Sequence, residues 1–132
     1  MITREDYFMG RDKSYPPSEA MLKNAEETIY RVNLLLSLYY QADPDAEKTK
    51  VTSGYRPPLI NAATPNAAPR SKHMTCQAVD LADPEGELDD WCMDNQKVLE
   101  QIGLWMEHPS ATKNWTHLQI APPRSGKTVF YP

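Results

Sequence analysis

Proline decides where this chain can run regular. It has twelve prolines against five glycines. Each proline fixes φ and removes a backbone donor, so this density predicts rigid loops and few long regular elements. At 132 residues the chain fits one domain and can bury a core without staples.

Tyr15-Pro16-Pro17 closes a first segment, residues 1–17, read as an extended N-terminal arm. Ser18 then reads as a helix N-cap with Glu19 in the first turn. Met21, Leu22, Ala25, Ile29, Val32, Leu36 and Tyr39 recur at helical spacing. They predict a helix over Glu19 to Tyr40, ended by Asp43-Pro44. Lys50 to Tyr55 reads as a short strand, Arg56 to Lys72 as a long loop, and Gln77 to Ala82 as a second strand. Asp83-Pro84-Glu85-Gly86 is a turn. A second helix is predicted over Glu87 to Ile102, stopped by Gly103. Strands follow over Leu104 to Glu107 and Trp115 to Ala121, and Val129 to Tyr131 adds an edge. This order predicts an α+β fold: a single small domain, helices packed on one antiparallel sheet.

The net charge is −4 and the cations are scattered, so no basic footprint points to nucleic acid. No apolar run is long enough to span a bilayer. Cys76 and Cys92 are too few for a disulfide framework and read as reduced. Met1 to Phe8 is polar and acidic, with no apolar h-region. The expectation is a monomer synthesised in a cytoplasm without a signal peptide, and delivered by something else if it acts outside.

Only three histidines are present: His73, His108 and His117. His73 precedes a predicted strand, Asp80 lies within it, and His117 lies on another strand. Two histidines and an aspartate suit zinc, whose catalytic sites keep three protein ligands and an open fourth position. The same spacing also fits two ordinary histidines and a surface aspartate.

Ser71-x-His73-x-x-Cys76-x-Ala78-x-Asp80 resembles the S-x-H-x-x-G-x-A-x-D signature of the zinc D-alanyl-D-alanine metallopeptidases. That family includes D,D-carboxypeptidases, D,D-dipeptidases and the L-alanyl-D-glutamate endopeptidases of phage endolysins. Ser53-Gly54-Tyr55-Arg56-Pro57, with Asn61 shortly after, is similar to its upstream segment, and Trp115-x-His117 to its final histidine strand. The three motifs stand in the family's order over about residues 51 to 120. The resemblance implies zinc held by His73, Asp80 and His117. It implies Arg56, with Asn61 and Ser71, as substrate-binding residues. Arg56 would hold a carboxylate or the polarised carbonyl, a task suited to a forked, permanently charged guanidinium. Ser71 is equally suited to capping the turn before His73.

Two positions depart from the pattern. The family's general base usually lies three residues before the last histidine; here that residue is Asn114, whose amide cannot take the proton. Glu107 is the candidate replacement, with His108 next. Cys76 stands where the family has glycine, and reads as a packed thiol or a further ligand. Ser125-Gly126-Lys127-Thr128 is not a phosphate loop, because Ala121 stands where its first glycine belongs.

The function expected from the resemblance is zinc-dependent hydrolysis of peptide bonds in peptidoglycan stem peptides, by a protein of phage or prophage origin. The alternatives are a catalytically degenerate zinc-binding or peptide-binding module of a phage particle, and a plain α+β interaction domain.

Overall fold

The computed structural model describes residues 1–132, and its first departure from expectation is at the N-terminus. Residues 1–17 are not an extended arm. They form two short helices, α1 (Arg4–Phe8) and α2 (Arg11–Ser14). A capping box starts α1: Thr3 Oγ1 accepts from Asp6 N at 3.1 Å, and Asp6 Oδ2 accepts from Thr3 N at 2.9 Å. Tyr7 and Phe8 are buried in the main core, and that burial outweighs the cost of ordering so short a segment.

Ser18 caps α3 (Glu19–Ala42) by accepting from Met21 N at 3.2 Å. Val32, Leu35, Leu36 and Tyr39 of α3 are buried in one cluster with Val79, Leu81, Leu99, Met106 and Leu118. Each such side chain contributes roughly 1.5–3 kcal/mol on leaving water. The strand β1 (Val51–Ser53) is shorter than expected. The long loop after it holds a helix, α4 (Pro58–Ala63), because a proline at the first helical position loses no hydrogen bond. Then come β2 (Ala78–Asp83), α5 (Glu87–Asp94), α6 (Gln96–Ile102), β3 (Trp105–Glu107), β4 (Asn114–Gln119) and β5 (Val129–Phe130). A single helix over Glu87 to Ile102 was expected. It breaks at Asn95, whose side-chain amide donates to the Trp91 carbonyl at 2.8 Å and competes with the backbone ladder. No helix is long and apolar enough to cross a membrane.

The fold is α+β, with helices packed on one sheet in the strand order β1-β2-β4-β3-β5. The sheet is mixed, not wholly antiparallel: β5 runs parallel to β3. Leu81, Leu118 and Met106 point to the helices. Residues one step away on each strand point to the opposite face, and that face carries the site.

Asp83 ends β2 and anchors α5. Its carboxylate accepts from Leu88 N at 3.0 Å, Asp89 N at 2.9 Å and the Thr116 hydroxyl at 3.1 Å. Asp89 is buried beside it. One carboxylate oxygen accepts from Thr112 Oγ1 at 3.3 Å, and the other has no partner. Burial pushes the Asp89 carboxyl up to about 6; the Asp83 charge adds to this and the hydrogen bond from Thr112 opposes it. A folded-state value above the ordinary 3.8 means the native state binds the extra proton, so stability falls as pH rises from about 4 to about 6. Asp89→Asn stays neutral throughout. It should gain about 1–3 kcal/mol over wild type at pH 8 and little at pH 4. Thermal unfolding at both values checks this; an equal offset at the two pH values would contradict it.

Candidate metal centre

One row of side chains crosses the open face of the sheet. Ser53 pairs with Asp80, Asp80 with His117, and Glu107 with Phe130. Met106 pairs with Leu118, so Glu107 is the next residue along, beside His117. Strand alternation thus puts Asp80, His117 and Glu107 on one face with no loop needed to aim them.

His73 reaches this row from the turn before β2. That turn is tied to α3, where Thr28 Oγ1 donates to the Cys76 carbonyl at 2.8 Å and Asn24 Nδ2 to the Thr75 carbonyl at 3.0 Å. It is tied to the segment after β1 through Arg56 N, which donates to the His73 carbonyl at 3.1 Å. The ring Nδ1 of His73 lies 2.8 Å from the Gly54 carbonyl and donates to it, which leaves Nε2 as the donor atom for a cation. Gly54 is held against α1: Tyr55 N donates to the Tyr7 carbonyl at 3.2 Å. A Cβ at Gly54 would lie 2.1 Å from that carbonyl oxygen, so only glycine fits this approach.

His73, Asp80 and His117 bring one ligand atom each to within 4.8 Å of one another. His73 Nε2 is 3.2 Å from Asp80 Oδ2, and His117 Nδ1 is 2.8 Å from Asp80 Oδ1. Tetrahedral zinc with bonds of about 2.0–2.2 Å needs donors roughly 3.3–3.5 Å apart, close to this spacing. His73 Nε2 is buried without a hydrogen-bond partner. Leaving such a group unsatisfied costs about 1–3 kcal/mol, and a bound cation removes that cost. The set is a buried His/His/Asp centre that can coordinate a divalent metal ion.

The electrostatics are those of a centre built for positive charge. Burial alone would raise Asp80, but the His73 ring beside it and the hydrogen bond from His117 outweigh it and hold the carboxyl well below the usual range. Burial lowers His117, yet the Asp80 hydrogen bond and charge, with Glu107 behind them, raise it above its ordinary 6.5.

Arg56 is nearly buried at the rim. Its Nη2 lies 4.0 Å from Asp80 Oδ2, and its Nε has no partner. Burial pulls the guanidinium below its usual pKa, against the pull of Asp80 and Glu107; it remains charged. Glu107 Oε1 is 3.8 Å from His117 Nε2, so it stands by the centre without hydrogen-bonding to that ring.

The other residues expected at the site make local contacts. Ser71 Oγ accepts from His73 N at 3.2 Å, which caps the turn. Asn61 is buried, and its amide donates to the Ala68 carbonyl at 2.9 Å, bracing the loop. His108 turns away: it stacks on Tyr131 with centroids 4.6 Å apart and caps the turn at Ser110. Cys76 is no ligand. It is fully buried, burial pushes its thiol up to about 12, and its φ of 61° explains why glycine suits this position. Asn114 is exposed at the start of β4 in a left-handed conformation (φ 78°), three pairs along the ladder from the Asp80–His117 pair.

Two contributors were not anticipated. The Gly54 carbonyl cannot be found from side-chain chemistry. Gln119 could have been, since it lies two residues past His117 on the same strand and therefore on the same face. Compared with known proteins, the chain matches no family model, no curated protein and no solved structure.

Proposed function

We propose that the protein is a zinc-dependent peptidase acting on the stem peptides of bacterial peptidoglycan. The observation that carries the reading is the convergence of His73 Nε2, Asp80 and His117 Nδ1 beside both a buried guanidinium and a carboxylate. Two imidazoles and one carboxylate are a donor set that zinc accepts with a fourth position to spare. Zinc there would polarise a carbonyl and lower the pKa of a bound water to about 7.

The chain's own residues supply the rest. Arg56 orients the scissile carbonyl, or a substrate carboxylate, with its forked donors, and stabilises charge developing on oxygen. Glu107 accepts the proton of the attacking water and passes it to the leaving amine. The choice of cell-wall peptide, and of a phage or prophage source, rests on the three ordered motifs. A degenerate peptide-binding module is the second reading, and the amide at Asn114 is the feature that favours it.

The deciding experiment incubates zinc-loaded protein with purified peptidoglycan and follows newly released amines. Release that is abolished by a chelator and restored by zinc supports the peptidase. Binding to the wall without release supports the module. Arg56→Lys keeps the charge and loses the planar fork, so it should cut kcat/KM by about tenfold to a hundredfold while zinc content stays at the wild-type level. Equal loss of zinc and activity would place Arg56 in the scaffold instead.

A further inference from the structure

We propose that Gln119 is a positioning residue for the metal: its side-chain amide sets His117 in the one tautomer that offers Nδ1 to the centre. The inference rests on the metal-site reading but uses only this chain's own hydrogen bonds.

Gln119 is buried, with 5% of its surface exposed, and its amide is held between two partners. One end lies 2.7 Å from the Ala121 carbonyl and the other 2.8 Å from His117 Nε2. A backbone carbonyl can only accept, so the end facing Ala121 is the NH2 group. That leaves Oε1 toward the ring. An amide oxygen can only accept, so His117 Nε2 carries a hydrogen. His117 Nδ1 lies 2.8 Å from Asp80 Oδ1 and donates to it in the metal-free chain. A cation at the centre takes the place of that hydrogen, and the Nε2–H held by Gln119 then leaves a neutral ring with Nδ1 as the ligating nitrogen.

His73 is set the opposite way, its Nδ1–H donated to the Gly54 carbonyl and its Nε2 free. Two non-titrating partners thus accept from Nε2 of one histidine and Nδ1 of the other, and the remaining ring nitrogens, His117 Nδ1 and His73 Nε2, both face Asp80. Partners of this kind orient metal-bound histidines and raise metal affinity. Gln119 also occupies the hydrogen that Glu107, 3.8 Å away, would otherwise take, and so leaves that carboxylate unengaged.

Glu107 Oε1, 3.8 Å from the same ring nitrogen, is an acceptor able to replace Gln119, so the zinc test is run in Glu107→Ala. Zinc dissociation constants, measured by chelator competition on folded protein, should differ little between wild type and Glu107→Ala. Adding Gln119→Met, which removes the acceptor, should weaken zinc about tenfold to a hundredfold. Adding Gln119→Glu, which restores an acceptor, should recover most of that loss. Equal affinity with Gln119→Met would overturn the proposal.

Long-range proton–nitrogen correlation of the His117 ring in wild type gives a second readout that needs no variant to fold. Zinc-loaded protein should show hydrogen on Nε2 and metal on Nδ1. Zinc-free protein should also carry hydrogen on Nε2, hydrogen-bonded to Gln119 Oε1. A bare Nε2 in the zinc-free protein overturns the inference. Wild type that binds no zinc overturns the metal reading, and the Nε2 hydrogen of the zinc-free protein still decides the role of Gln119.

Discussion

His73→Ala and His117→Ala will each strip the protein of zinc under conditions where wild type holds about one ion per chain. Apparent zinc energies of roughly 10–16 kcal/mol, spread over three or four ligands, give about 3–4 kcal/mol for each, a loss of roughly a hundredfold to a thousandfold in affinity. Removing both histidines leaves Asp80 alone, and zinc measured after dialysis should fall to background. Full occupancy in the double variant would refute the assignment.

The pH dependence of the same centre has a definite sign. His117 has a folded pKa above its ordinary 6.5. In the metal-free protein its pairing with Asp80 therefore stabilises fully below pH 6.5, and that contribution is lost as pH rises through the folded value. Asp80 is depressed below its ordinary 3.8, so its contribution is present above pH 3.8 and is lost as pH falls through its folded value. The pair alone stabilises most between about pH 4 and 6.5. Zinc needs His117 Nδ1 without its proton, so its stabilisation grows where the proton's is lost. The zinc-induced rise in melting temperature should be small at pH 5 and several degrees larger at pH 8.

Two members of the His73, Asp80 and His117 cluster were legible together because strand alternation carries them. Once Asp80 and His117 lie on paired strands, a period of two puts both on one face, and a string of side chains records that period directly. The helix α3 was legible for the same reason at period 3.6, with Ser18 at its start. What escaped notice depends on partners far along the chain or on backbone atoms. The Gly54 carbonyl that orients His73 belongs to no side chain. The two-residue β5 is too short to carry a period, so its parallel pairing with β3 is decided by where α-helices and loops return the chain. The N-terminal helices were the avoidable miss: Thr3 and Asp6 are spaced as a capping box, with aromatic Tyr7 and Phe8 beside it, whereas the prolines at 16 and 17 only argue for an end.

Glu107→Gln should abolish most turnover while leaving zinc in place. Hydrolysis needs a group that takes a proton from water and returns it to an amine, and losing such a base costs about two to four orders of magnitude. Three carboxylates lie near this end of the sheet, and their surroundings differ. Asp80 faces both histidines in the cluster that can coordinate a metal. Asp83 is on the helix face, its oxygens taken by two backbone amides and Thr116. Glu107 alone sits in the row beyond His117, partly open to solvent, with Gln119 holding the ring hydrogen it would otherwise accept. Glutamine at 107 keeps the size and the polarity and loses only the titrating oxygen, so kcat should fall by about 10²–10⁴ with zinc affinity within a few-fold of wild type. Asn114→Asp is the companion measurement. Asn114 stands three pairs along the ladder from the Asp80–His117 pair, so the new carboxylate should restore little to Glu107→Gln. Wild-type rates in Glu107→Gln would make that carboxylate a bystander, and a strong gain from Asn114→Asp in the same background would return the base to the strand that carries His117.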